Sequence, residues 1–514
     1  MKLHNQSDDL VAVVGAGAMG TGISQVALLA GHRVLLLSRR TESSRRGREE
    51  IESRILRLVD KGRLAKEEAL AALDRLTTSE ELPEAAAAGL VIESVHEDMA
   101  AKSALLAEIE KQVGEDAVIA TNTSSLSVTA LAAGLENPAR FAGLHFFNPA
   151  PLMALVEVVS APSTAERTTR FLHRTAERWG KTPVLSADLP GFIVNRVARP
   201  FYGEALRTRE QRAASPATID AVLTGSGGFA MGPCALMDLI GHDVNEAVTR
   251  GVWSAFHHDA RFAPSLVQRK LVEAGYLGRK AGRGFYDHGP GAGRPVPDTH
   301  APVSVPRPRL VRLHGDAGPA EGLVDVLVAA GIPVERVAAA AGSALDGMFE
   351  LPDGTLLRLT DGRTADRHAR HTERPVVLFD LSLDFATSSR TALAVSGGAP
   401  DASRDAAVGL FQLLGKDVST VDDVPGLLVF RTVAMLVNIA LDAVADGLAS
   451  APDVDTAMRL GTNYPLGPVA WGERIGLPAV LALLENLDDE HRDGHYRPSP
   501  ALRRGALRTG RLAA

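Results

Sequence analysis

The chain has 514 residues, 45% of them hydrophobic and 23% charged, with a formal net charge of −7. That length predicts several domains with cores of their own, and charges of both signs, interspersed, argue against nucleic acid or an anionic membrane as partner. A single cysteine, Cys234, excludes an internal disulfide framework and suits a reducing cytoplasm, while Asp8 and Asp9 reverse the basic start of a signal peptide, so a cytoplasmic protein is expected.

Residues 10–31, LVAVVGAGAMGTGISQVALLAG, carry no charge and are long enough to resemble a membrane span. Their internal order argues otherwise. Val11–Val14 read as a strand, Gly15, Gly17 and Gly20 follow at G-x-G-x-x-G spacing, and Ile23, Val26, Ala27 and Ala30 keep a helical period. A second strand, Arg33–Leu37, completes a βαβ unit. Gly15 is expected to permit the turn, Gly17 to let backbone approach a pyrophosphate, and Gly20 to let helix and strand pack, with Ala18 and Met19 opening the helix toward the anion.

Residues 48–76 predict a helical hairpin broken at Lys61-Gly62, whose outer arginines fit a solvated face or a grip on ligand phosphates. Strands are predicted at 90–95, 117–123, 141–147 and 155–160. They complete a doubly wound Rossmann domain, 1–186. A helical domain, 187–287, closes at GRKAGRGFYD. Residues 288–308 are too rich in proline and glycine for a core and read as a linker, and 309–400 read as a small α/β module with no nucleotide fingerprint. GKTPVLSADLPGFIVNRVARPF from Gly180 then aligns without gaps on GKDVSTVDDVPGLLVFRTVAML from Gly415, so 401–514 is read as a second copy of the helical domain. Asn195 of the first copy corresponds to Phe430 of the second.

Polar residues gather at three strand ends, in TNTSSLS, GLHFFNPAP and LVEVVS, where open α/β sheets bind ligands. His145 and Glu157 lie on strands joined by a turn. A carboxylate beside an imidazole sets its tautomer and raises its basicity, as proton removal from an alcohol requires, and Ser124 could hold that alcohol's oxygen. A catalytic and a purely structural histidine both remain open on these residues alone.

GAGAMGTGI, EDMAAK, TNTSS, NPARFAGLHFFNPAP, LVEVV, GFIVNR and GRGFYD occur in the order and spacing of the 3-hydroxyacyl-CoA dehydrogenases, which the chain resembles over nearly its whole length. The layout is similar to the long bacterial 3-hydroxybutyryl-CoA and 3-hydroxyadipyl-CoA dehydrogenases, the latter serving phenylacetate degradation. The resemblance implies an α/β Rossmann domain followed by an all-α domain, a reduced Rossmann-like module and a second all-α domain. It implies His145 as general base, Glu157 as its orienting partner, and Ser124 and Asn195 as substrate-positioning groups, with Glu97, Lys102, Asn148 and Lys280 contacting cofactor. An acyl-CoA substrate is implied and no metal is expected. The second helical copy would pack as a partner subunit does in shorter relatives, giving a monomer with an internal pseudo-dimer or a homo-oligomer.

Relatives end the second strand with Asp, which holds the ribose of NAD. Here Ser38, Arg39 and Arg40 stand there, an arrangement that leans toward the 2′-phosphate of NADP while the family default is NAD. Ala154 and Ala235 replace a common Lys and Glu. Other readings to be separated are a non-catalytic nucleotide-binding redox sensor and a dehydrogenase of a free hydroxy acid.

Overall fold

The computed structural model describes residues 10–340 and 342–510. Asp8 and Asp9 lie outside them. By internal contacts the chain divides into two units, one reaching Val194 and including Asp446–Thr462, the other comprising Asn195–Ala445 and the segment from Asn463.

The first unit is built on an eight-stranded sheet, β1 (Leu10–Val14), β2 (Arg33–Leu37), β3 (Leu76–Ser79), β4 (Leu90–Glu93), β5 (Val118–Thr121), β6 (Phe141–Phe146), β7 (Leu155–Ser160) and β8 (Thr182–Ala187), in the order β3-β2-β1-β4-β5-β6-β7-β8. All neighbours are parallel except β6 and β7. Successive side chains enter opposite cores. Val11, Val13, Val34 and Leu36 pack on one face, and Ala12, Val14, Leu35 and Leu37 on the other, which is why these strands read as unbroken apolar runs. The predicted hairpin is present as helices Thr41–Asp60 and Lys66–Asp74. β3 and β8 extend the sheet beyond the expected strands. LTTS is short and polar, and TPVLSA contains a proline and two polar residues, so neither has a strong apolar signal.

The second unit contains a seven-stranded sheet formed by β9 (Val311–His314), β10 (Val334–Val337), β11 (Met348–Glu350), β12 (Leu356–Leu359), β13 (Val376–Phe379), β14 (Arg390–Val395) and β15 (Asp417–Thr420), ordered β10-β9-β11-β12-β13-β14-β15. Its helical part centres on Val429–Ala445, buried on nearly all sides and packed against Arg199–Glu210, Pro468–Ile475, Leu477–His491 and Pro500–Gly510. Arg431 reaches Glu204 across that packing, Nε to Oε2 3.0 Å, with His495 and Tyr496 also on the Glu204 carboxylate at 2.7 and 2.9 Å. The segment expected as a linker has no helix or strand, yet it is docked. The His300 N–H donates to Val418, the Val303 N–H to Gln412, and a side chain at Gly409 would collide with Val305.

The duplication is larger than the repeated helical sequence suggests. β14 repeats β7, and helix Asp401–Leu413 repeats Glu166–Arg178, at the same 235-residue offset as the helical copies. Each sheet is tied to the other copy's helical segment by equivalent bonds, the Ala187 N–H to the Leu448 carbonyl (2.7 Å) and the Asp422 N–H to the Ala213 carbonyl (3.1 Å). This explains why helix Ala451–Thr462, expected to stay with residues 401–514, belongs to the first unit: it packs on β7 and β8, with Gly461 against Leu155 and Val194. Among the described residues no helix is long and apolar enough to cross a membrane.

Candidate active site

The three glycines of the turn sit in different surroundings. Gly15 has φ +122°, where L side chains are strained, and a Cβ there would strike the Ser94 carbonyl. A Cβ on Gly20 would strike the Gly15 carbonyl, whereas Gly17 faces open space. Helix Ala18–Leu29 starts at Gly17 with no side-chain cap and no acidic residue in its first turn, so its N–H groups are left for an anion. Beside the turn lies a cleft of about 410 Å³ lined by Gly15, Leu37, Ser38, Arg39, Arg40 and Asp98, among others. Arg39 and Arg40 are exposed at its rim.

His145 and Glu157 are directly opposed in the antiparallel β6–β7 pair. Their side chains therefore share a face of the sheet. His145 Nδ1 lies 2.6 Å from Glu157 Oε2, with His145 5% exposed and Glu157 fully buried. The other carboxylate oxygen, Oε1, accepts the N–H groups of Ile193 and Val194, each at 3.0 Å. Phe147 and Phe192 flank the imidazole, ring centres 4.5 and 5.9 Å away. With Oε1 held by two backbone donors, the Glu157 carboxylate stays in one orientation and presents Oε2 to Nδ1, so Nε2 is the imidazole nitrogen outside this pair.

Ser124 follows β5 and is positioned by Glu97, whose Oε1 accepts the Ser124 N–H at 2.8 Å and its hydroxyl at 3.3 Å, while Oε2 accepts Thr123 Oγ1 at 3.0 Å. Lys102 is fully buried, with Nζ 2.8 and 3.0 Å from the Glu93 oxygens and 3.7 Å from Glu97. That ammonium lies between two carboxylates, as a buried lysine needs a carboxylate of its own. Glu93, at the end of β4, supplies it and also accepts from Thr121 and the Val95 N–H. Sequence reasoning passed over Glu93; a lone charge ending an apolar strand was the available signal. Asn122 was missed likewise, its Oδ1 accepting the Phe146 N–H at 2.8 Å and bracing the strand end beside His145.

Asn148 is exposed on the loop after β6. Asn195 opens the second unit, immediately after the two residues held by Glu157. Lys280, also in the second unit, pairs with Asp243 at 2.6 Å, both groups being partly exposed. The surrounding GRGFYD stretch is fastened by Asp238, which accepts the N–H groups of Phe285 and Tyr286 and bonds to His242 and His288.

Comparison with known proteins covers most of the chain. Residues 10–189 match the NAD binding domain of 3-hydroxyacyl-CoA dehydrogenase, residues 191–288 and again 426–512 match its C-terminal domain, and 357–425 match the 3-hydroxybutyryl-CoA dehydrogenase reduced Rossmann-fold domain. A 3-hydroxyadipyl-CoA dehydrogenase of Escherichia coli (strain K12) is 43% identical over 497 residues, 97% of each chain. A probable 3-hydroxybutyryl-CoA dehydrogenase of Bacillus subtilis (strain 168) is 38% identical over 278 residues, covering 54% of this chain and 96% of that one. The crystal structure of 3-hydroxybutyryl-CoA dehydrogenase from Escherichia coli K12 superposes with a TM-score of 0.88 at 41% identity, covering 98% of this chain and 99% of that one.

Proposed function

Because the chain belongs to the 3-hydroxyacyl-CoA dehydrogenase family, we propose that its chemistry is carried by His145, oriented through the 2.6 Å contact with Glu157. The enzyme is an oxidoreductase that interconverts 3-hydroxyacyl-CoA and 3-oxoacyl-CoA with a nicotinamide dinucleotide. The residues fit that cofactor, since Gly17 leaves open space beside an uncapped helix start, where Ala18 and Met19 present backbone N–H groups to a pyrophosphate. When bound, it supplies a two-electron acceptor for the hydride leaving C3.

On oxidation, Nε2 of His145 takes the proton from the 3-hydroxyl as the C3–H bond breaks and C3=O forms; in reverse the imidazolium returns that proton. Glu157 stabilises the imidazolium and fixes the tautomer. Ser124, aimed by Glu97, holds the C3 oxygen, and Asn195 positions the acyl end of the substrate. Asn148 and Lys280 contact cofactor, while Lys102 acts through Glu97. The substrate is a short 3-hydroxyacyl-CoA, 3-hydroxybutyryl-CoA or its carboxylated counterpart 3-hydroxyadipyl-CoA, the molecules named for the relatives. The second copy serves as an internal partner subunit. A cytoplasmic setting fits a single thiol, Cys234, that is buried and whose pKa burial pushes well up.

For the cofactor, Ser38 with Arg39 and Arg40 at the cleft rim supports NADP: no carboxylate ends β2 to repel a 2′-phosphate. Ser38→Asp is expected to shift the NADPH/NADH ratio of kcat/KM toward NADH by about tenfold, equivalent to about 1.4 kcal/mol. A wild type that already prefers NADH would refute the NADP reading.

The deciding assay follows reduction of acetoacetyl-CoA and 3-oxoadipyl-CoA with each nucleotide, beside free acetoacetate and the His145→Gln variant. Turnover of the thioesters, little turnover of the free acid, and a loss of about 10³-fold in kcat for His145→Gln are expected. Undiminished turnover by His145→Gln would remove the imidazole from the mechanism. Nucleotide binding without turnover would instead describe a redox sensor.

A further inference from the structure

The helical face that begins at Asn195 leads into a cleft holding a buried cation with no anion. Asn195, Arg199, Tyr202 and Leu206 recur at helical spacing, and Ala198, between the two helical segments, keeps right-handed helical backbone, so these residues share one face. Arg199 is 6% exposed. Its Nε donates to the Asn195 carbonyl at 2.8 Å, its Nη1 donates to Thr249 Oγ1 at 3.1 Å, and the guanidinium lies over the Tyr202 ring, 4.9 Å from the centre. All three partners are neutral.

The cleft, about 80 Å³, is also lined by Arg207 and Arg261. Arg207 is paired with Asp493, and Arg261 with both Asp259 and Asp442. Among the described residues Arg199 has no carboxylate partner. Glu210, the carboxylate in the lining, accepts from Ser265 and lies eleven residues further along the helix, about 16 Å away. A guanidinium removed from water without a counter-charge is a site prepared for an anion that arrives with a ligand. Burial alone lowers its pKa, in keeping with that missing charge.

We propose that Arg199 selects acyl-CoA substrates whose acyl chain ends in a carboxylate, binding that carboxylate while Asn195 holds the reacting end. The spacing suits a six-carbon diacid. Four helical residues rise about 6 Å, and C3 to C6 of an extended chain spans about 4 Å, the hydrogen bond to the guanidinium covering the remainder. The assignment rests on the placing of Asn195 at the substrate under Proposed function.

Binding can be read without turnover, by calorimetry with adipyl-CoA and hexanoyl-CoA, which match in length and lack the 3-oxygen. The wild-type chain is expected to bind adipyl-CoA at least tenfold more tightly, Arg199→Met to abolish the preference, and Arg199→Lys to keep part of it. In turnover, the ratio of kcat/KM for 3-oxoadipyl-CoA over acetoacetyl-CoA should fall about 30-fold in Arg199→Met. Equal wild-type affinity for the two thioesters, or a preference or ratio that survives Arg199→Met, overturns the proposal. The wild-type comparison decides even where Arg199→Met fails to fold. Retained activity in His145→Gln beside an intact adipyl-CoA preference would break the proposed mechanism and leave Arg199 standing.

Discussion

The two copies place different groups at one junction. At the end of β6 stands His145, with Glu157 opposite on β7; 235 residues later Asp380 follows β13, with Ala392 opposite. Asp380 is fully buried, its Oδ2 accepting the N–H groups of Leu428 and Val429 at 2.9 and 2.8 Å and its Oδ1 that of Phe430 at 3.0 Å. Leu428 and Val429 are the counterparts of Ile193 and Val194, which Glu157 holds in the first copy. Both junctions thus need a carboxylate to satisfy a buried helix start. The second copy devotes both oxygens to that cap. The first caps with one oxygen and turns the other on an imidazole, so its dyad arises by dividing a structural acid between two duties. Phe430, 2% exposed where Asn195 has its amide, marks the same divergence.

One chemical change made in both copies tests this most strongly. Glu157→Gln keeps an acceptor for the Ile193 and Val194 N–H groups but offers Nδ1 a donor, favouring the wrong tautomer, and kcat is expected to fall about 10³-fold. Asp380→Asn should leave kcat within twofold. Similar kcat losses in both would end the claim that the copies have separate duties.

Asp380 should instead govern stability against pH. Burial pushes its carboxyl up to about 6 from a reference of 3.8, against the pull of its N–H donors. The folded chain then keeps a proton that the unfolded chain releases near 3.8. The associated stabilisation is complete below that pH and is lost as pH rises through 6, by up to about 3 kcal/mol. Urea midpoints of wild type and Asp380→Asn at pH 4.5 and 7.5 measure it: the wild type should lose ground to the variant as pH rises, and a constant gap would contradict the assignment.

The smallest effects come from wedging helix from sheet in each copy. A Cβ on Gly461 would sit 2.8 Å from Leu155 and 3.0 Å from Val194, and one on Gly225 would sit 2.8 Å from Arg390. Valine at either position should cost about 1–3 kcal/mol by overpacking. Only Gly461→Val should also lower kcat, because it presses on Val194, whose N–H holds Glu157. Equal kcat in both variants would separate the helix contact from the dyad.

The glycine fingerprint and the His145–Glu157 pair were legible because each is a local pattern: three glycines at fixed spacing, and two strands joined by a turn whose midpoint fixes the register. The full extent of the duplication was not. FAGLHF and PVVLFDL keep an apolar period and share little else, so the repeated strands can be seen only once built, whereas the helical copies keep Gly-Pro and Asp positions that turns and caps require. The burial of Lys102 was not legible because nothing local reveals that Glu93, on another element, closes over it. Arg199 was visible as a letter beside Asn195, but its lack of a counter-charge is a property of packing.

The carboxylate that faces His145 also grips the amides of Ile193 and Val194, and the boundary between the units falls at the next peptide. The chain therefore leaves the first unit from a backbone clamped by the same side chain that meets the imidazole, so a change at Glu157 is felt at both places at once.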